Sequence, residues 1–63
     1  MKRFKIYRNI DNENKLVGEG IKFTSGKCII SWLMKLTSVA IYDDEDMMKR
    51  VLNGKSFITW IDK

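Results

Sequence analysis

The residues of this 63-residue chain that could do chemistry are a single cysteine, Cys28, and an acidic run at residues 43–46. The chain has no histidine, which is the side chain that most often moves protons near neutral pH. Cys28 stands beside Ile29 and Ile30, and this setting favours a buried structural thiol over an activated nucleophile. The sequence therefore predicts a protein that is not an enzyme.

The acidic run Asp43-Asp44-Glu45-Asp46 favours the start of a helix over a cation site. It lacks the spaced ligands, the turn glycine and the final glutamate of a calcium loop. Asp43 is predicted as the helix N-cap, and the acids after it suit the positive end of the helix dipole. Gly18-Glu19-Gly20 is too short for a phosphate loop, and one thiolate without histidine is too little for zinc. We predict no metal and no cofactor.

With catalysis and metal binding not predicted, binding is the remaining kind of activity, and the charge of the chain indicates what it could bind. The net charge is +4, and the first 42 residues hold eight Lys and Arg against three acids. Basic and aromatic residues interleave over residues 3–8, a pattern that suits single-stranded nucleic acid, although core aromatics would give the same pattern. We expect Arg3, Lys5 and Lys27 to share a face with Lys22 across a hairpin. Such a patch could hold an anionic ligand such as a nucleotide.

The hydrophobic pattern predicts a single α+β domain over residues 1–63, a small antiparallel sheet with one short helix packed on one face. The predicted element order is β-β-β-β-α-β, with strands at about 3–8, 16–23, 27–34, 38–42 and 56–61 and a helix at about 44–53. Residues 9–15 read as a polar loop. Gly26 supplies the positive φ of a turn at residues 24–27, and Asn53-Gly54 marks the helix C-cap. Gly18 and Gly20 predict a bulge or a close backbone approach.

Three of the predicted strands are apolar on both of their faces, whereas a sheet with one wet face should alternate. In the third strand, for example, Cys28 and Ile30 point one way while Ile29 and Leu33 point the other. One helix covers only one face, so we expect a homo-oligomer, most simply a two-fold dimer. The alternative is a strongly curled sheet that closes a second core by itself.

No apolar run approaches the length of a membrane span, and the basic start lacks the features of a signal peptide. A single free cysteine fits a reducing compartment. We therefore expect a protein of the bacterial host cytoplasm with no membrane partner.

Several segments together resemble a known group of proteins. They are the block Gly18-Glu19-Gly20-Ile21-Lys22-Phe23-Thr24-Ser25-Gly26-Lys27, a following strand with Trp32, the strand Ser38–Tyr42, the short acidic helix and a closing strand with Trp60. This pattern is similar to short phage-, prophage- and plasmid-borne proteins of unassigned function that share an EG-x-x-F-x-x-G hairpin. The resemblance covers about residues 16–62. The chain departs from it at residues 52–55, where the group often has a His-Gly-His-like segment. The resemblance implies a mobile genetic element and leaves the mechanism open.

Three functions follow as hypotheses. The first is a phage-type accessory protein that inhibits a host function, such as antiviral defence, by stoichiometric binding of a host protein or a nucleotide signal. The second is a nucleic-acid-binding module that uses the basic first half of the chain, and the third is a virion structural or assembly protein. The candidate binding residues are the exposed basic residues, the tryptophans and a serine beside a connection: Arg3, Lys5, Arg8, Lys22, Lys27, Trp32, Lys35, Ser38 and Trp60.

Overall fold

A computed structural model describes residues 1–33, 38–52 and 56–62. The strands are β1 (Lys2–Ile10), β2 (Glu13–Lys22), β3 (Cys28–Trp32), β4 (Ser38–Tyr42) and β5 (Ser56–Trp60), and the helix α1 (Glu45–Val51) lies between β4 and β5. All neighbouring strands are antiparallel, and their order in the sheet is β4-β3-β2-β1-β5. The predicted fold class and element order are confirmed.

The predicted loop over residues 9–15 is wrong, because the first hairpin closes through a two-residue turn. Asp11 and Asn12 have φ values of 51° and 65°, so both lie in the left-handed region. Asp and Asn tolerate this region, and two consecutive positive φ values match the right-handed twist of a hairpin. The two strands therefore pair up to the turn, where Ile10 lies opposite Glu13.

The second hairpin turns where the sequence predicts it. Gly26 has a φ of 100°, and its N–H donates to the Phe23 carbonyl oxygen at 2.9 Å. The Phe23 N–H in turn donates to the Lys27 carbonyl oxygen at 2.8 Å. β2 begins three residues before its predicted start at residue 16 and ends one residue before its predicted end at residue 23, and β3 begins one residue after its predicted start at residue 27. The end of the predicted strand 27–34 lies outside the described residues.

The helix begins one residue later than predicted, so the expected N-cap Asp43 is wrong. Asp44 is the N-cap, and its Oδ1 accepts a hydrogen bond from the Met47 N–H at 2.8 Å. Glu45 and Asp46 then fill the first turn, and Lys49 and Arg50 fill the last, as the helix dipole favours. The predicted C-cap Asn53-Gly54 lies outside the described residues.

The core lies between α1 and one face of the sheet. It consists of Phe4, Ile6, Val17, Cys28, Ile30 and Met48, all of them buried. Trp32, Tyr42, Leu52 and Ile58 pack against this core and are partly buried. Burial raises the pKa of the Cys28 thiol, as expected for a structural cysteine. No helix within the described residues has the length and apolar character needed to cross a bilayer.

Candidate binding face

The sheet has two unlike faces, and their residues follow from the strand register. We call the face under α1 the covered face; it carries Phe4, Ile6, Gly20, Cys28 and Ile30. We call the other the open face; the register assigns to it Arg3, Lys5, Tyr7, Glu19, Ile21, Ile29, Ser31, Val39, Ile41, Phe57 and Thr59. None of the helices and strands in the described parts of the chain lies over the open face.

A bulge in β2 sets which side chains share a face. Tyr7 lies opposite Leu16 and Ile6 lies opposite Gly18, so Val17 is the extra residue between them. Val17 is buried, and its carbonyl oxygen accepts from the Leu33 N–H at 2.8 Å. A one-residue shift of register moves every later side chain to the other face.

The bulge explains why the expected basic patch does not form. Lys22 lies opposite Lys2 on the covered face, whereas Arg3 and Lys5 are on the open face. If the pairing next to the turn, where Tyr7 lies opposite Leu16, continued without a bulge, Lys22 would be on the same face as Lys5. The expectation that Lys22 joins Arg3 and Lys5 is therefore wrong.

The close approach predicted for the glycines occurs on the covered face. A Cβ atom added at Gly20 would collide with the Ile29 carbonyl oxygen and would lie 2.5 Å from Cζ of Phe4, closer than real Cβ atoms come to other atoms. At Gly18 the same atom would lie 3.2 Å from Cε3 of Trp32, a tight contact that a small shift relieves. Gly20 thus provides the space in which the Phe4 ring lies.

A groove of about 600 Å³ opens on the other side of the same strands. Four apolar residues, two basic ones, one acid, one serine and two residues of the covered face line it: Ile21, Phe23, Ile29, Ile61, Arg3, Lys5, Glu19, Ser31, Phe4 and Gly20. A pocket of this size with an apolar lining and a few polar groups is typical of a binding site.

The charges at the groove balance one another. The carboxylate of Asp62 accepts hydrogen bonds from the Arg3 backbone N–H at 2.9 Å, from Nε at 2.9 Å and from Nη2 at 3.1 Å. These bonds lower the pKa of Asp62 to about 2 and raise the pKa of Arg3. Lys5 is the cross-strand neighbour of Glu19. The groove therefore presents apolar surface with nearly no net charge.

Beyond the groove, the open face continues as exposed apolar surface. Val39 and Ile41 of β4 are 67% and 66% exposed, and at the other edge Phe57 is 44% exposed and stacks on Tyr7. The prediction of a second apolar face without a cover from this chain's single helix is confirmed for the described residues. Contiguous apolar patches on a small protein usually mark an interaction surface.

The candidate residues named from sequence do not form one surface. Arg3 and Lys5 are on the open face, and Lys27 is in the β2–β3 turn. The remaining described candidates are on the covered side: Arg8, Lys22, Trp32, Ser38 and Trp60. Lys35 lies outside the described residues.

Three of the candidates on the covered side have structural partners. Nζ of Lys22 donates to Oε1 of Glu45 at 3.0 Å, and Nζ of Lys49 lies 2.8 Å from Oε2 of the same residue. The hydrogen bond from Lys49, and then that from Lys22, lowers the pKa of Glu45. Trp60 packs edge-on against Phe4, with ring centroids 5.2 Å apart. Nε of Arg8 donates to Oγ of Ser56 at 3.1 Å.

The groove residues that sequence reasoning missed are apolar: Ile21, Phe23, Ile29 and Ile61. The signal for two of them was present, because Ile29 and Ile61 belong to strands with apolar residues on both faces. The candidates predicted from the sequence were basic residues, the two tryptophans and a serine, so none of these four side chains was among them.

Comparison with known proteins gives one finding. A family model described as Acb5 phage protein matches residues 1–62. No curated protein and no solved structure matches the chain.

Proposed function

The chain belongs to the Acb5 phage protein family, and from that premise we propose that it inhibits a host function by stoichiometric binding of a host protein through the open face. The host function that we propose is antiviral defence, in keeping with a phage protein family. The proposal makes the protein a binder without catalysis that acts in the bacterial cytoplasm. The observation that carries it is the uncovered apolar face around the groove.

The balance of charge favours a protein over a nucleotide or nucleic acid as the partner. A polyanion is held mainly by an excess of Lys and Arg. At this groove Arg3 is already bonded to Asp62, and Glu19 stands beside Lys5. Centres of protein interfaces are instead poor in net charge and rich in aromatic and apolar side chains. The lining by Phe23 and three isoleucines fits an apolar anchor from a protein surface.

The size of the face also suits a protein partner. The two longer dimensions of the molecule are 36 and 25 Å. A stable protein interface takes about 800 Å² from each partner. A sheet face of these dimensions can supply most of that area.

The proposal is tested in a defence-bearing host that expresses the chain, with phage plating as the measurement. Ile21→Asp adds a charge inside the groove, and it should restore most of the protection that the unmodified chain removes. Ile10→Asp is the matched control, because Ile10 is 38% exposed, Ile21 is 37% exposed, and Ile10 lies outside the groove. Both variants are compared at equal abundance and after their thermal unfolding has been checked.

If Ile21→Asp suppresses protection as well as the unmodified chain does, the open face is not the binding surface. If nucleotides or nucleic acid co-purify with the chain in place of a host protein, the partner class is wrong.

A further inference from the structure

The outer edge of β4 points to an interaction that the open face alone does not suggest. β4 is an end strand of the sheet, paired with β3 on one side. Within the described parts of the chain, no backbone group pairs with its other side. An edge of this kind presents a row of free N–H and C=O groups that can pair with another strand.

The composition of β4 does nothing to block such pairing. Its sequence, Ser38-Val39-Ala40-Ile41-Tyr42, contains no charged residue, no proline and no glycine. Edge strands are normally protected from other chains by such residues. Val39 and Ile41 are about two-thirds exposed, more than any other large apolar side chain of the described strands.

The opposite edge strand, β5, differs in how its side chains are engaged. Phe57 stacks on Tyr7, Trp60 packs against Phe4, and Ser56 accepts a hydrogen bond from Arg8. Neighbouring β1 thus anchors the side chains of β5. On β4, Val39 and Ile41 lie opposite Ser31 and Ile29 of β3 and remain about two-thirds exposed.

We propose that β4 pairs antiparallel with β4 of a second copy of this chain, about a two-fold axis at Ala40. This register is the one that pairs all five residues of both strands. It places Ala40 opposite the partner's Ala40, Val39 opposite the partner's Ile41, and Ser38 opposite the partner's Tyr42. Opposite residues share a face, so Val39 and Ile41 of the two copies form one apolar cluster.

The pairing joins the two sheets into one of ten strands. The open faces of the two copies then form a continuous surface that carries two grooves, one from each copy. The proposal rests on β4 alone and does not depend on the proposed function. Because an edge pair buries less area than a standard interface, we expect a dimer that dissociates at micromolar concentrations.

Two double variants that change the same two positions test the register. Their association is measured by analytical ultracentrifugation over a series of concentrations. Val39→Lys with Ile41→Lys sets lysine opposite lysine twice, and it should abolish the dimer. Val39→Lys with Ile41→Glu sets lysine opposite glutamate twice, and it should retain the dimer. A monomeric wild-type chain at high micromolar concentration would overturn the proposal, and so would equal association of the two variants.

Cross-linking gives a second readout that does not rely on charge. The α-carbons of residue 40 in the two copies would lie about 4.5–5.5 Å apart, within reach of a disulfide. Those of residue 38 would lie about 14 Å apart, because four residues at about 3.3 Å each along the strand combine with the separation of about 5 Å between the strands. Ala40→Cys should therefore form a covalent dimer on oxidation, whereas Ser38→Cys and the wild-type chain, whose Cys28 is buried, should not. Equal cross-linking at residues 38 and 40 would overturn the register.

Discussion

The covered and open faces belong to the same five strands, yet their apolar side chains have different surroundings. Ile30 on the covered face is fully buried beneath α1, whereas Ile41, one strand away on the open face, is 66% exposed. The covered face therefore accounts for the stability of the single chain. On the open face, large apolar side chains are exposed to water and contribute little to the stability of the single chain. Exposed apolar patches of this kind usually mark a binding surface.

The largest expected effect compares two isoleucines. Ile30→Ala should lower the free energy of unfolding by about 2–5 kcal/mol, because it removes buried methyl groups and leaves a cavity. Ile41→Ala should change it by less than about 0.5 kcal/mol, because its side chain is mostly in water. Urea unfolding of dilute protein measures both. Similar losses for the two variants would mean that the open face is packed in the folded chain.

The next effect compares two glycines of β2. Gly20→Ala should cost about 1–3 kcal/mol, since the new Cβ would overlap both the Ile29 carbonyl oxygen and the Phe4 ring. Gly18→Ala should cost less, because the contact with Trp32 is looser. Thermal unfolding ranks the two.

A double-mutant cycle identifies the cause of the Gly20 effect. Phe4→Leu in the Gly20→Ala background should cost less than Phe4→Leu in the wild type, because leucine leaves room for the added methyl group. Additive losses would assign the Gly20→Ala effect to the Ile29 carbonyl oxygen, the other atom that the new Cβ meets, and not to the Phe4 ring.

The smallest effect concerns the carboxylate beside the groove. The bonds from Arg3 hold the pKa of Asp62 at about 2, below its ordinary value of 3.8. A lowered carboxyl pKa stabilises the folded state above pH 4, and this contribution disappears as the pH falls from about 4 to about 2. Asp62→Asn should therefore unfold at a slightly lower temperature than the wild type at pH 7, with the difference mostly lost by pH 2.

Salt provides the control for this pair. The Arg3 side chain is largely exposed and that of Asp62 is about one-third exposed, so added salt should shrink the difference at pH 7. A difference between wild type and Asp62→Asn that persists unchanged at pH 2 would contradict the assigned cause.

The sequence was sufficient for the fold and insufficient for the site. Period-two alternation and the acidic start of α1 predicted the element order, and Gly18 and Gly20 predicted a bulge or a close approach, of which the close approach is at Gly20 itself. The tight turn at Asp11-Asn12 was missed because polar residues around it look like a longer loop. The N-cap was misplaced because Asp43 and Asp44 are equally good caps by type, and only the hydrogen bond to Met47 distinguishes them.

The site could not be found from charge because faces depend on register. Lys22 and Lys5 look equivalent in sequence, but one extra residue, Val17, sends them to opposite sides of the sheet. Neither the pairing register of a hairpin nor the position of a bulge can be predicted from residue types alone. The apolar residues on both faces were the better guide to the binding surface.

The central claim, that the open face binds a host protein, is tested most directly by photocrosslinking in the infected host. Phe23 in the groove is replaced by benzoylphenylalanine, which has a similar ring, and Met47, a 46% exposed residue of α1, is replaced in a matched control. The account predicts that the probe at residue 23 links to one host protein in a one-to-one adduct and that the probe at residue 47 does not. No adduct at residue 23, or the same adducts at both positions, would contradict it.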